Sequence, residues 1–69
     1  MAAERVAERI RDSVAQLAQY PLLGRTGRVP GTRELIVSGT PFIVPYRIRE
    51  DVVEIIVVLH AARRWPDHF

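Results

Sequence analysis

The side chains best suited to chemistry in this chain are its arginines. All ten of its Lys and Arg positions are Arg, against eight Asp and Glu, so the formal net charge is only +2. A guanidinium presents a planar fork of donors that matches a phosphate or a carboxylate. Five of them lie where the sequence is rich in β-forming residues: Arg33, Arg47, Arg49, Arg63 and Arg64. They indicate either a solvated rim of a sheet or a surface for an anionic partner, such as a nucleic acid or an acidic peptide.

The two histidines are the other candidates for chemistry. His60 stands shortly before Arg63 in the sequence, and an imidazole with a guanidinium nearby could supply general acid or base catalysis in RNA cleavage. The alternative is that His60 is a polar residue at the end of a strand. His60, Asp67 and His68 are of metal-ligating types, but their spacing is not diagnostic of a site. We therefore predict no metal and no cofactor.

The length and composition of the chain are those of one small domain, which must position these residues. The chain has 69 residues, 48% of them apolar, and no cysteine. A core of this size rarely supplies more than ~3–5 kcal/mol, and no disulfide can add to it, so a partner or a dimer is expected. No apolar leader or membrane-spanning run is visible. The expected location is the cytoplasm, with no membrane partner.

The spacing of apolar residues predicts one helix followed by three strands. Val6, Ile10, Val14 and Leu17 recur at helical spacing, so residues 2–19 are predicted to form an amphipathic helix that ends before Pro21. The Gly- and Pro-rich residues 21–31 are predicted to form a loop. Strands are predicted over the following ranges: 33–37, 40–49 and 52–61. The expected fold is α+β, with the helix packed on a three-stranded antiparallel sheet.

The register of the last two strands follows from a tight turn at Glu50-Asp51. Neither residue favours the positive φ of such a turn, yet this register sorts the side chains well. One face receives apolar pairs: Ile48 with Val53, Tyr46 with Ile55, Val44 with Val57 and Phe42 with Leu59. The other face receives Arg49 with Val52, Arg47 with Glu54, Pro45 with Ile56 and Ile43 with Val58, and His60 falls opposite Pro41. A slip of one residue would exchange the two faces.

Two features conflict with a simple open sheet. Ile56 and Val58 are apolar on the face opposite the predicted helix, which is typical of a strand shielded on both sides. Pro45 lies inside the predicted middle strand, where proline is disfavoured, so we expect a bulge or an edge position there. An apolar and cationic face of this kind could receive a partner segment.

The order and spacing of these segments resemble the RelE/ParE family of toxins from bacterial type II toxin–antitoxin systems, a group that includes plasmid stabilisation proteins. The resemblance rests on Arg33–Val37, on Phe42–Ile48, on Val53–Pro66 and on the helix that ends in Tyr20-Pro21-Leu22-Leu23-Gly24. Members of the family usually begin with a strand and a further helix, which are not present before the first helix of this chain. The resemblance therefore implies a shortened RelE/ParE-like domain over residues 1–69, and it makes a homodimer through an exposed sheet edge an expectation.

The resemblance implies one of two targets and a neutralising partner. ParE-like members inhibit DNA gyrase, whereas RelE-like members are ribosome-dependent mRNA endonucleases. The position at which RelE-like toxins carry an Arg in the middle strand corresponds to Ile43 here, and the terminal aromatic position falls near Phe69, which has no hydroxyl. Arg63 matches the basic position after the last strand, so His60 and Arg63 remain the catalytic candidates.

This incomplete set favours a ParE-like gyrase inhibitor over an mRNA endonuclease, and a remnant that only dimerises or binds antitoxin is a third alternative. A cognate antitoxin is implied in each active case. The residues expected to bind the target or the antitoxin are Arg33, Arg47, Arg49, Ile56, Val58, Arg63, Arg64 and Trp65.

Overall fold

One helix at the start of the chain packs on an antiparallel sheet made by the rest. The computed structural model describes residues 3–69. Helix α1 spans Ala3–Ala15 and continues as a 3₁₀ turn over Gln16–Ala18. The helix predicted over 2–19 is therefore confirmed as an element but changes type after Ala15, and Ala2 lies outside the described residues.

The sheet contains five short strands in the described part of the chain. They are β1 (Arg25–Thr26), β2 (Arg33–Ile36), β3 (Phe42–Arg49), β4 (Val52–Ile55) and β5 (Leu59–His60). The spatial order is β1-β2-β3-β4, all antiparallel, and β5 pairs with the other end of β3. The predicted α+β class is confirmed. The prediction of three strands is too low, because β1 forms inside the predicted loop 21–31 and the predicted last strand divides into β4 and β5.

The core lies between α1 and one face of the sheet, which we call the inner face. Its buried members come from the 3₁₀ turn, from β2 and the residue after it, and from β3: Leu17, Leu35, Val37, Val44 and Tyr46. Ile10 and Val14 of α1 pack against this cluster together with Val53 of β4. The amphipathic spacing of the helix thus buries its apolar stripe as predicted.

Tyr46 fixes the connection between the helix and the sheet. Its side chain is fully buried, and its hydroxyl donates a hydrogen bond to the carbonyl of Pro21 at 2.7 Å and accepts one from the N–H of Gly24 at 2.9 Å. A Cβ at Gly24 would lie 2.6 Å from the ring of Tyr46, so this close approach requires glycine. The loop is held tightly enough for residues 25–26 to pair with β2.

The turn between β3 and β4 is the predicted two-residue turn. Glu50 has φ 51° and Asp51 has φ 65°, the left-handed conformation at both central positions that matches the twist of a hairpin. The register that depends on this turn is confirmed next to it, where Ile48 faces Val53 and Tyr46 faces Ile55. The free energy gained by burying Tyr46 and Val53 on the inner face outweighs the cost of positive φ at the two turn residues.

The predicted register is wrong by one residue beyond Pro45. Ile56 donates its N–H to the carbonyl of Pro45 at 3.0 Å, but proline has no N–H with which to return a bond. Residues 56–58 leave the ladder, and pairing resumes with Leu59 opposite Ile43 and His60 opposite Phe42. The bulge expected from Pro45 is therefore present, and its extra residue lies on the opposing strand.

Candidate functional site

The face of the sheet turned away from α1, which we call the outer face, holds two of the candidate residues, Arg47 and Arg49. Because Cα partners share a face and side chains alternate along a strand, Arg47 and Arg49 lie on this face with Ile43, Pro45 and Glu34. Ile43, Pro45 and Glu34 are buried, Arg47 is half-buried and Arg49 is exposed. The outer face therefore combines a covered centre with a cationic margin.

The residues after β5 return toward the outer face and cover part of it. The guanidinium carbon of Arg28 lies 3.6 Å from the centre of the Trp65 ring, a cation–π contact. The Trp65 indole N–H also donates to the carbonyl of His60 at 3.4 Å. Trp65, predicted as a partner-binding residue, is thus half-buried and tied to the 27–31 segment.

Glu34 is the most deeply buried charged group of the outer face. Its side chain is 2% exposed, and its carboxylate accepts hydrogen bonds from the Arg25 Nη2 at 2.9 Å, from the Arg28 Nε at 3.1 Å and from the Arg28 backbone N–H at 2.7 Å. Both guanidinium groups remain about half exposed. Glu34 therefore joins β2 to β1 and to the segment that contacts Trp65.

These contacts set the protonation of Glu34. Burial acts to raise the pKa of its carboxyl, but the hydrogen bonds from the backbone and side chain of Arg28 and from Arg25 outweigh burial, so the pKa lies below its ordinary value. The group is therefore ionised at neutral pH. Since its charge is already matched by two arginines, Glu34 organises the site rather than offering a proton to a substrate.

Arg47 and Arg49 differ in how far they are engaged. Arg49 Nε lies 3.6 Å from Glu54 Oε1, a long ion pair between exposed groups. Glu54 faces Arg47 in the register, as predicted, but its carboxylate lies nearer the diagonal neighbour Arg49. No carboxylate within residues 3–69 lies at ion-pair distance from Arg47. Arg47 is thus a cation available to a partner.

A shallow groove of about 400 Å³ runs beside these two arginines. Its walls come from the 29–32 segment, from β3 and from the last residues of the chain, and they include Val29, Thr32, Arg47, Arg49 and Phe69. Apolar and cationic groups therefore line the same depression, together with one acidic residue, Asp67. Such a lining can receive a segment that carries both apolar and acidic side chains.

Arg33 lies apart from this surface. It faces Tyr46 in the register and so belongs to the inner face. Its Nη1 donates to the carbonyl of Gly24 at 2.6 Å and approaches the carbonyl of Leu22 at 3.5 Å. The guanidinium stabilises the loop that Tyr46 also holds, and the structure does not bring it to Arg47.

His60 also lies away from Arg47, contrary to the face expected from the unbroken register. It faces Phe42, and the two rings meet edge to face with centroids 5.6 Å apart. Its Nδ1 accepts the Ala62 N–H at 3.1 Å, and its carbonyl accepts the Arg63 N–H at 3.0 Å. The imidazole thus stabilises the turn at the end of β5, while the Arg63 side chain is exposed.

The remaining predicted binding residues lie along the last part of the chain. Ile56 is half-buried, Val58 is 41% exposed and Arg64 is exposed. Both apolar residues belong to the segment 56–58 that leaves the ladder beside Pro45. They form a short apolar stretch between the outer edge of β4 and the basic turn after β5.

Residues 3–69 provide neither a cluster of metal ligands nor a membrane-spanning helix. No group of three or more His, Asp or Glu side chains there could hold a metal ion, so His60, Asp67 and His68 are not brought together as ligands. None of the helices in the same residues is long and apolar enough to cross a membrane.

A small α+β domain with cationic and apolar groups on an open sheet face is suited to binding another macromolecule. Comparison with known proteins gives its family. A profile described as the ParE toxin of type II toxin-antitoxin system, parDE, matches residues 2–65. The chain belongs to this family, and the resemblance read from the sequence is confirmed.

Two curated relatives are similar over most of the chain. One is "Putative toxin Y4kP" of Sinorhizobium fredii, 52% identical over 65 residues, which are 94% of this chain and 67% of the relative. Another is "Toxin RelE2" of Caulobacter vibrioides, 36% identical over 63 residues, which are 91% of this chain and 69% of the relative. The chain is therefore a toxin of a type II toxin–antitoxin system.

The Glu34 cluster was not predicted from the sequence. The available signal was a lone acidic residue inside an apolar strand, preceded by Arg25 and Arg28 in a Gly-rich segment. A buried carboxylate needs such partners, and a short loop is the nearest source of them. The contact of Arg28 with Trp65 had no comparable signal, because the two residues lie far apart in the sequence.

Proposed function

We propose that this toxin acts in the cytoplasm by binding DNA gyrase and that a cognate antitoxin neutralises it by covering the outer face. The observation that supports the gyrase target is the match of the ParE profile to residues 2–65. Inhibition of this kind needs a binding surface and no catalytic group on the toxin. The expectation that the chain is not an enzyme belongs to the same proposal.

The outer face offers the antitoxin a specific chemistry. Arg47 is a half-buried cation with no carboxylate at ion-pair distance in the described residues, and the groove beside it is partly apolar. An antitoxin segment with acidic and apolar side chains could pair with Arg47 and Arg49 and cover Ile56 and Val58. Charge pairing at such a partly desolvated site contributes more than pairing at an exposed rim.

The second candidate function is ribosome-dependent mRNA cleavage, because one of the relatives is named "Toxin RelE2". It would use Arg47, His60 and Arg63. Two observations weigh against it. His60 lies on the other face of the sheet from Arg47, and its Nδ1 accepts a backbone hydrogen bond. Ile43 and Phe69 stand where a guanidinium and a hydroxyl would serve such chemistry.

The test of the target uses the purified chain in two assays. In a DNA supercoiling assay with purified gyrase we expect inhibition that increases with the concentration of the chain. In a translation reaction programmed with a defined mRNA we expect no codon-phased cuts. Supercoiling that proceeds normally, together with cuts that disappear in Arg63→Ala, would assign the protein to the endonuclease class.

The test of the antitoxin site uses the product of the adjacent small gene. Arg47→Glu is expected to weaken its affinity at least about tenfold, equivalent to ~1.4 kcal/mol. Arg5→Glu is the matched control, because Arg5 is exposed on α1. Equal affinities for the two variants would exclude Arg47 from the antitoxin interface. We expect expression of the chain alone to arrest growth, and coexpression of this product to relieve the arrest. Unimpaired growth on expression of the chain alone would favour an inactive remnant.

A further inference from the structure

Within the described residues, the directional contacts of segment 64–69 all come from Trp65. No helix or strand follows β5, and no backbone hydrogen bond in this part of the structure joins the segment to the sheet. The Trp65 ring instead stacks on the Arg28 guanidinium at 3.6 Å, and its indole N–H donates to the carbonyl of His60 at 3.4 Å. Trp65 is half-buried, whereas the other residues of the segment are exposed. The position of the segment therefore depends on Trp65.

Arg28, the partner of Trp65, is itself fixed to the sheet. Its backbone N–H and its Nε donate to the Glu34 carboxylate at 2.7 and 3.1 Å, and Glu34 is buried in β2. The turn that carries Arg28 is closed by the Gly27 N–H, which donates to the carbonyl of Thr32 at 2.8 Å. The guanidinium is therefore held in place before the aromatic ring packs on it, which lowers the entropy cost of the contact.

The contact between Arg28 and Trp65 brings together two of the three parts of the groove. Residues 29–32, which follow Arg28, line the groove. Residues 67–69, which follow Trp65 closely, line it as well, and β3 contributes the third part. Neither Arg28 nor Trp65 is among the described residues that line it. Their contact therefore brings residues 67–69 to the groove without occupying it.

The docked segment leaves the groove open and its cation free. About 400 Å³ remain open beside residues 67–69. Asp67 belongs to the lining, but in the described structure its carboxylate is not at ion-pair distance from Arg47 or Arg49. A segment that competed with a partner would fill the groove and pair its acid with these arginines. The arrangement instead favours residues 67–69 as part of the wall.

We propose that Arg28 and Trp65 are positioning residues for the antitoxin: their contact holds residues 67–69 in the wall of the groove, and the antitoxin binds the groove in this docked form. This inference rests on the proposed function, because it takes the groove as the antitoxin site. Binding of the antitoxin and docking of the segment then favour one another, since each raises the population of the conformation that the other requires.

The expected effect follows from the strength of the contact. A cation–π pair of this exposure shifts a docking equilibrium on the order of two- to thirtyfold, and loss of the docked fraction raises the dissociation constant by the same ratio as that fraction falls. We therefore expect Trp65→Ala and Arg28→Gln each to raise the dissociation constant for the antitoxin about three- to tenfold. The double variant should lose no more than the larger single effect, whereas residues that contacted the antitoxin independently would add their effects.

Calorimetric titration with the product of the adjacent small gene measures these affinities, and far-UV circular dichroism checks that each variant is folded. Arg25→Gln is the matched control for Arg28→Gln, because Arg25 pairs with the same carboxylate at 2.9 Å but makes no described contact with Trp65. Its expected change is below about twofold, as for an exposed ion pair. Tyr20→Ala, at an aromatic residue that is 59% exposed, is the control for Trp65→Ala. Trp65→Tyr should restore most of the lost affinity, since a tyrosine ring also accepts a cation on its face.

Acrylamide quenching of the single Trp gives a readout in the free chain. Because the Arg28 guanidinium covers one face of the indole ring, Arg28→Gln is expected to raise the quenching constant. Arg25→Gln is expected to leave it close to that of the unmodified chain. Equal quenching in Arg28→Gln and the unmodified chain would show that Arg28 does not hold Trp65 and would overturn the inference.

The affinities separate this inference from the proposed function. If the unmodified chain does not bind the product, or if Arg47→Glu binds it as tightly as the unmodified chain, the proposed function fails and the inference fails with it. If Arg47→Glu weakens binding while Trp65→Ala binds equally or more tightly, the segment is a bystander or a competitor, and the inference alone fails. Additive losses in Arg28→Gln and Trp65→Ala would also overturn it.

Discussion

Replacing Glu34 by Gln tests whether its buried carboxylate holds the outer face together. The carboxylate accepts five hydrogen bonds from Arg25 and Arg28 at 2.7–3.4 Å. Loss of a fully buried charge pair costs about 3–5 kcal/mol when the remaining charge is stranded. Here both guanidinium groups are about half exposed and can be hydrated, so we expect Glu34→Gln to lower the free energy of unfolding by about 2–3 kcal/mol.

Urea unfolding followed by far-UV circular dichroism measures this loss. With an m-value of about 1 kcal/mol/M for a small domain, the midpoint should fall by about 2–3 M urea. Glu54→Gln is the matched control, because Glu54 is 43% exposed and pairs with Arg49 at 3.6 Å. Its expected effect is about 0.2–1 kcal/mol.

The same variant has a signature in acid. Because the pKa of Glu34 is lowered in the folded state, its contribution is fully present above the ordinary carboxyl pKa and is lost as the pH falls through the folded pKa. Glu34→Gln should therefore flatten the decline of stability on acidification. A midpoint within 0.3 M of the unmodified chain, or an unchanged acid profile, would refute the assigned role of Glu34.

Three further variants test other parts of the fold. Glu50→Asn with Asp51→Gly should raise the free energy of unfolding by about 1 kcal/mol, because both positions have positive φ; a lower urea midpoint would contradict the turn. Tyr46→Phe should lower it by about 2 kcal/mol, because the buried hydroxyl makes two hydrogen bonds; unchanged stability would show that the loop is held otherwise. Arg28→Lys should shift the emission of Trp65, because the planar cation lies on the indole ring; an identical spectrum and midpoint would exclude the contact.

The hairpin was predictable from the sequence because its information is local and redundant. Alternation from Tyr46 to Ile48 and from Val53 to Ile55 specifies one register, and a slip would expose the residues that are buried. Pro45 also predicted an irregularity in β3, because proline is disfavoured inside a strand. Its position relative to the bulge was not predictable, because a proline removes one hydrogen bond without specifying which strand carries the extra residue.

The candidate site was predictable only in part. Arg47 and Arg49 were placed on the correct face because they lie near the turn, before the register changes. Beyond Pro45 the extra residue inverts the alternation, and so His60 was assigned to the wrong face. The contacts of Arg33 with the carbonyls of Leu22 and Gly24 depend on how the loop closes against Tyr46. This closure leaves no periodic pattern in the sequence.

The proline at the centre of β3 also has a consequence for local unfolding. Because the ladder is interrupted at residues 56–58, the pairs made by Leu59 and His60 can open while those of Val52–Ile55 stay closed. The end of the chain therefore forms a separate unit of low local stability, and its amide protons should exchange with solvent sooner than those of Val52 and Glu54. A ligand that orders this terminal unit would slow exchange there without altering the rest of the sheet.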